Sequence, residues 1–326
     1  MVDTKIGLLI GTRGIVMSAQ KNKTNPSPEL MLMLAENAEK AGLDSIWVGD
    51  SLVSKPRFEP IATLSYLAAR TNRVKLGTSV LLPALRNPVT LAHSLATLNV
   101  LSGGRLVIGA GVGGAFNDDQ KKDWLSVAVD PAKRTKRFSE TIQIMKKLWR
   151  EDKVSFEGAH FTINEATLYP KPINNAGIPV LLATHNKTGS DAQIVRAATH
   201  GDGIIGITDS PEEYHAICSK VDQAVLEQGR TLEGFQHVYY MTVNICDDVK
   251  YGEAEARDFL MNYYNVNHWG DSWGPWGKAK DIAARLKEYS DAGAETVVVR
   301  FASWDQKLQW DRFEQEILPE FKNEVA

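Results

Sequence analysis

The sequence predicts a (β/α)8 TIM barrel with insertions at its C-terminal face. Three observations carry that prediction. Eight apolar runs of four to eight residues, rich in Val, Ile and Leu and without polar alternation, recur along the 326 residues. Parallel strands covered by helices read this way. Helical stretches with sharp starts lie between the runs. No Pro/Ser-rich linker or break in composition divides the chain, so residues 1–326 read as a single domain, of a length a barrel with insertions reaches. A doubly wound open sheet is the alternative for the same alternation.

In chain order the expected strands are Ile6–Ile10, Ser45–Val48, Val74–Thr78, Leu106–Gly109, Val180–Ala183, Gly203–Ile207, Val238–Ile245 and Thr296–Phe301. Helix starts are marked by Ser27-Pro28, Glu59-Pro60, Asn87-Pro88, Asp130-Pro131 and Ser210-Pro211. Each puts proline at a first helical position, where its missing N–H costs nothing. Ser210 with Glu213 makes a capping box. The first expected helix carries Leu30, Leu34, Ala38 and Ala41 on one stripe and stops at Gly42. Two segments exceed what connections need. Lys153–Pro172 reads as a β-hairpin excursion (about 153–172), and Asn262–Lys280 as a Trp/Gly-rich insertion (about 262–280) with the character of a lid.

Composition narrows the function classes. Thirty-seven basic against forty acidic side chains give a net charge of −3 without blocks of like charge. Neither a nucleic-acid footprint nor a polybasic membrane patch is supported. Cys218 and Cys246 are too few for a disulfide framework or a cysteine metal site, and there is no H-E-x-x-H, so no metal is expected. The N-terminus lacks the features of a signal peptide, and no run approaches 18 apolar residues. The expectation is a soluble, cytoplasmic protein.

In a barrel, chemistry gathers at the C-terminal strand ends. Here these are rich in glycine, hydroxyls and backbone donors and short of carboxylates, with only Asp50 and Asp209 well placed. No facing carboxylate pair, strand-end lysine, G-x-S-x-G or Walker A motif appears. The ends are suited to holding a cofactor that brings its own chemistry. Gly109–Gly114 matches a dinucleotide fingerprint by spacing, but Ala115–Asp119 is a poor helix start. These glycines either let a planar ligand approach or make a turn. Leu182–Ser190 ends a strand and opens a helix. It either binds phosphate through free N–H groups and hydroxyls or is capped by Thr188 or Ser190.

Gly49-Asp50-Ser51, L-G-T-S-V-L-L-P (Leu76–Pro83), Arg86-Asn87-Pro88 and A-T-L-N-V-L-S-G-G-R-L-V-I-G-A-G-V-G-G (Ala96–Gly114) together resemble the luciferase-like monooxygenase superfamily. Phe156–Phe161, Tyr169–Pro172, Ile178–Val180 and Ala197–Gly203 continue the likeness, which spans nearly the whole chain. The resemblance implies a barrel that binds reduced FMN or the related deazaflavin coenzyme, with a non-prolyl cis peptide at Ser79-Val80. It places Asp50, Thr78, Ser79, Gly111 and Val112 along the ring, and Ala183, Thr184, His185, Gly189 and Ser190 around the phosphate. It also implies a homodimer.

Two departures stand out. Ser51 replaces a histidine common in the superfamily after the strand-two aspartate. Gly114 replaces an acidic residue of deazaflavin-dependent glucose-6-phosphate dehydrogenases. They argue against sugar-phosphate oxidation and leave the catalytic acid or base unknown. Arg13, Arg86 and Arg300 lie at strand ends as candidates for an anionic substrate, though surface ion pairs are the commoner fate of arginine. Trp269 and Trp273 are candidates for an apolar substrate wall, though aromatic clusters more often simply pack. The first functional reading is a monooxygenase using reduced FMN and O2 on a small organic molecule, supplied by a separate flavin reductase. The alternatives are hydride transfer through deazaflavin and, from another class, a flavin-binding protein without turnover.

Overall fold

The computed structural model describes residues 4–186, 190–264 and 274–321. The apolar runs become the barrel strands β1 (Lys5–Ile10), β2 (Ser45–Val48), β3 (Lys75–Leu81), β4 (Leu106–Ala110), β7 (Val180–Ala183), β8 (Gly203–Gly206), β9 (Gln236–Ile245) and β11 (Thr296–Phe301). β5 (Val154–Glu157) and β6 (Thr162–Ala166) form the antiparallel hairpin expected between Lys153 and Pro172, and β10 (Trp276–Gly277) is a short strand beside β9. The barrel strands are all parallel, in ring order β1-β2-β3-β4-β7-β8-β9-β11. Gly203 of β8 opposite Gln236 of β9, and Lys5 of β1 opposite Thr296 of β11, close the ring. That closure excludes the open doubly wound sheet.

The absence of polar alternation now has its cause: both faces of each barrel strand are buried. Leu9, Trp47, Val107, Leu181, Val238 and Val298 fill the interior. Leu8, Ile46, Ile108, Val180, Ile204 and Val297 pack outward against the helices. Truncating such a side chain to alanine costs about 2–5 kcal/mol.

The helices are α1 (Thr12–Asn22), α2 (Glu29–Lys40), α3 (Pro60–Ala68), α4 (Pro88–Leu101), α5 (Asp118–Leu125), α6 (Arg134–Arg150), α7 (Asp191–His200), α8 (Pro211–Glu227), α9 (Val249–Tyr264), α10 (Ala279–Asp291) and α11 (Gln306–Arg312). Glu59 caps Ala62 N–H, Asn87 caps Val89 and Thr90, and the Ser210–Glu213 box is complete. Pro131 opens a short 3-10 turn that runs into α6.

Two helices depart from the expectation. Nothing in the sequence placed α1, because it buries Thr12, Arg13 and Ala19 rather than an apolar stripe. α5 does form, but only from Asp118, where Asn117 accepts from Gln120 N–H. Two residues, Ala115 and Phe116, therefore separate Gly114 from the capping residue, and the glycine run does not open a helix as a dinucleotide turn requires. At the hairpin tip, the buried Glu140 of α6 accepts from Ala159 and His160 N–H, both at 2.9 Å. No described helix is long and apolar enough to cross a membrane.

Candidate active site

A cavity of about 760 Å³ opens at the C-terminal ends of the barrel strands, within the usual range for small-molecule sites. Its first wall comes from β3 and β4. The β3–β4 register shifts between Thr78 and Leu81, and the Ser79-Val80 peptide is cis, at the position the resemblance implied. Ser79, Gly111 and Val112, which the resemblance placed along the ring, line the cavity, and Val80 lines it beside them. Thr78 does not line it: its buried hydroxyl donates to Gly109 O at 2.9 Å and ties the two strands together.

Two glycines make this wall flat. A Cβ on Gly109 would stand 2.3 Å from Thr78 O, and one on Gly111 would stand 2.7 Å from Val80 Cγ2. Side chains at these positions would push the strands apart or fill the face. A planar ring requires such a surface.

Asp50 reaches the cavity wall, but its carboxylate serves the scaffold. Arg86 donates to it through two nitrogens, at 2.6 and 3.0 Å, and Leu82 N–H donates at 2.9 Å. Arg86 also meets Glu59 at 3.0 Å. Burial alone would lower the Arg86 pKa; its bonds to Asp50 outweigh that and raise it. Arg86 does not line the cavity, which corrects its place among the candidate substrate residues. The reason is that Asp50, whose side chain is fully buried, needs a counter-ion.

Ser51 is likewise committed. Its hydroxyl donates to Asp123 Oδ2 at 3.0 Å. Asp123, on α5, also accepts from Val53 N–H at 2.7 Å and from Ser54 N–H and hydroxyl at 2.8 Å each. Burial would raise the pKa of this carboxyl, but the Ser54 and Val53 bonds win and hold it below its ordinary value. This clasp fixes the β2–α3 loop at the cavity, and nothing in the sequence pointed to it.

The second wall follows β7. Ala183 and His185 line the cavity, whereas Thr184 turns inward and donates to Leu182 O at 3.0 Å. His185 is half-buried, and its Nδ1 is buried and lacks a hydrogen-bond partner. Burial lowers its pKa, with Asp209 and a bond to the Ile207 backbone opposing. Ser190 lines the cavity at the start of α7, and its side chain caps no helix N–H. The capping alternative therefore fails for Ser190, while Thr188 lies outside the described residues; the start of a helix is a place where backbone N–H groups can meet an anion. Arg134 and Arg196, which sequence reading passed over, line the same end. Gly189, Trp269 and Trp273 lie outside the described residues.

Across the ring the rim is cationic. Lys55 and Arg57 line the cavity together with Tyr240 and Tyr264. Arg13 and Arg300 are buried behind them and do not line it. Arg300 donates to the Tyr264 hydroxyl.

The luciferase-like monooxygenase family model matches residues 4–296. The chain belongs to that family. A luciferase-like protein named F420-dependent glucose-6-phosphate dehydrogenase from Amycolatopsis mediterranei is 26% identical, over 90% of this chain and 95% of its own. One from Rhodococcus jostii, named F420-dependent glucose-6-phosphate dehydrogenase 2, is 28% identical over 90% and 94%. Among solved luciferase-like folds, an F420-dependent secondary alcohol dehydrogenase superposes with a TM-score of 0.81 at 21% identity, covering 98% of this chain and all of that one. The monooxygenase RslO1 from Streptomyces bottropensis gives 0.81 at 20% over the same shares. These structures share the fold with this luciferase-like chain, which is an oxidoreductase by family.

Proposed function

We propose that this luciferase-like protein is a deazaflavin-dependent oxidoreductase that exchanges a hydride with a carbon of a small organic substrate. The observation that carries the reading is the match along nine-tenths of the chain to relatives named for F420 dependence. It displaces the first reading, a reduced-FMN monooxygenase fed by a flavin reductase, in favour of the deazaflavin alternative.

The residues present fit such a group. The flat face at Ser79, Val80 and Gly111 would take the ring, and Ser190 with the N-terminus of α7, Arg134 and Arg196 would take the phosphate end. His185 Nδ1, buried and without a partner, would accept a hydrogen bond from the group. Bound deazaflavin supplies two-electron hydride chemistry and does not support a flavin hydroperoxide. The chain's own contribution is to orient the group and exclude water.

Glucose 6-phosphate is not the substrate in this reading. Ser51 is spent on Asp123, and the space a Cβ on Gly114 would occupy is filled by the Gln120 side chain, at 2.8–2.9 Å. Neither position offers the proton-transfer group its replacement would need to match. The test is anaerobic turnover with deazaflavin against a panel of alcohols. Substrate-dependent reduction of deazaflavin supports the reading, and oxygen uptake with reduced FMN overturns it.

A further inference from the structure

Four cations meet at one part of the rim and just behind it, Lys55 and Arg57 lining the cavity and Arg13 and Arg300 buried beneath. The guanidinium carbons of Arg13, Arg57 and Arg300 lie 5.7, 5.7 and 4.6 Å from the centroid of a single ring, Tyr263. Lys55 Nζ is 4.9 Å from the neighbouring Tyr264 ring, and Arg300 is 5.0 Å from it. Arg13 is 5% exposed, and its Nε and Nη1 meet no hydrogen-bond partner. Among the described residues, no carboxylate forms an ion pair with Arg13, Lys55 or Arg57.

Like charges drawn together at a partly dry site repel one another, and aromatic faces offset this only in part. A guanidinium buried with unmet donors is suited to a planar oxyanion, which it can bind through two N–H groups. Position separates this cluster from the expected phosphate end of the cofactor. Arg300 lies in β11, and Arg13 and Lys55–Arg57 follow β1 and β2. The α7 terminus and Arg134 follow β7 and β4, on the opposite side of the eight-strand ring.

We infer that the Arg13–Lys55–Arg57–Arg300 cluster is a substrate subsite for an oxyanion, so that the substrate is a small molecule carrying a carboxylate or a phosphate. The substrate role rests on the proposed hydride-transfer reading; the anion site itself rests on geometry alone. Lys55 adds a signature. Burial, then Arg57 and Arg13, bring its pKa down to about 8, with Asp123 opposing and Arg300 adding to the shift; Tyr264 supplies the facing ring. An anion bound there raises that pKa, so binding takes up a proton near pH 8 and weakens as the pH rises above it.

The test titrates the full chain by calorimetry with inorganic phosphate and, separately, succinate, against chloride at matched ionic strength. It is run with and without deazaflavin, in two buffers of different ionisation enthalpy. Saturable binding with proton uptake is expected. It should weaken at least tenfold in Arg57→Gln, a half-buried rim residue whose loss spares the core, and in Arg13→Gln. It should persist in Arg70→Gln, a surface residue paired with Glu36, and in the deazaflavin-loaded protein. Preference for phosphate or for succinate identifies which oxyanion the substrate carries. Binding unchanged in Arg57→Gln, or expelled by the cofactor, overturns the inference. If deazaflavin does not bind while the anion still tracks Arg57, the hydride-transfer reading fails and the anion site stands.

Discussion

The two sides of the cavity are built by opposite means. The β3–β4 wall is neutral and made of backbone: Gly109 and Gly111 remove side chains so that strands and ligand approach closely. The rim over β11, β1 and β2 is made of long cationic side chains stacked on Tyr263 and Tyr264. A surface defined by the absence of side chains accepts a common planar group, whereas one defined by charged ends discriminates among partners. The first suits a cofactor shared across a family, and the second suits a substrate particular to this member.

The sharpest way to break that contrast is to fill the flat wall. Gly111→Val sets a branched side chain against Val80 Cγ2, already 2.7 Å from a Cβ at that position. Deazaflavin affinity should fall at least 100-fold, about 2.7 kcal/mol, in protein whose circular dichroism remains that of the wild type. Full affinity with an intact fold would move the ring elsewhere.

Next in size is the support behind the wall. Asp50→Ala leaves Arg86, whose side chain is only 16% exposed, with Glu59 alone. A loss of about 3 kcal/mol in urea unfolding is expected, and an unchanged midpoint would show that the pair contributes nothing.

Asp123→Asn should cost about 2 kcal/mol at neutral pH. Because the folded pKa of Asp123 is depressed, its contribution is full above the unfolded value of about 4 and is lost as the pH falls through the folded one. The variant should therefore unfold with a shallower acid dependence than the wild type.

The smallest effect is expected at the rim. The folded pKa of Lys55, about 8, lies below its unfolded value of about 10.4. The unfolded chain binds more protons between those values, so stability from this group rises with pH across that window. Lys55→Gln should flatten that rise. A steeper rise in the variant would contradict the cationic surroundings assigned to Lys55.

What the sequence made legible divides along the same line. Strands buried on both faces leave Val/Ile/Leu runs, and proline behind a cap leaves a helix start, so the barrel and most helix boundaries were readable. Gly111, Ser79 and Ala183 were readable because they sit at strand ends within an ordered motif. Lys55 and Arg57 were not, because they lie in an irregular loop whose path depends on the Asp123 clasp, 66 residues beyond Arg57 in the chain. Arg86 was misplaced because a strand-end arginine looks alike in sequence whether it faces a ligand or a buried aspartate.

The proposed hydride transfer requires that this barrel mouth hold a deazaflavin. The direct measurement is an equilibrium titration of the purified chain with deazaflavin and with FMN, each oxidised and reduced. Saturable deazaflavin binding, at least tenfold tighter than that of FMN and lost in Gly111→Val, is expected. Equal or tighter binding of reduced FMN, with oxygen uptake on adding substrate, would contradict it.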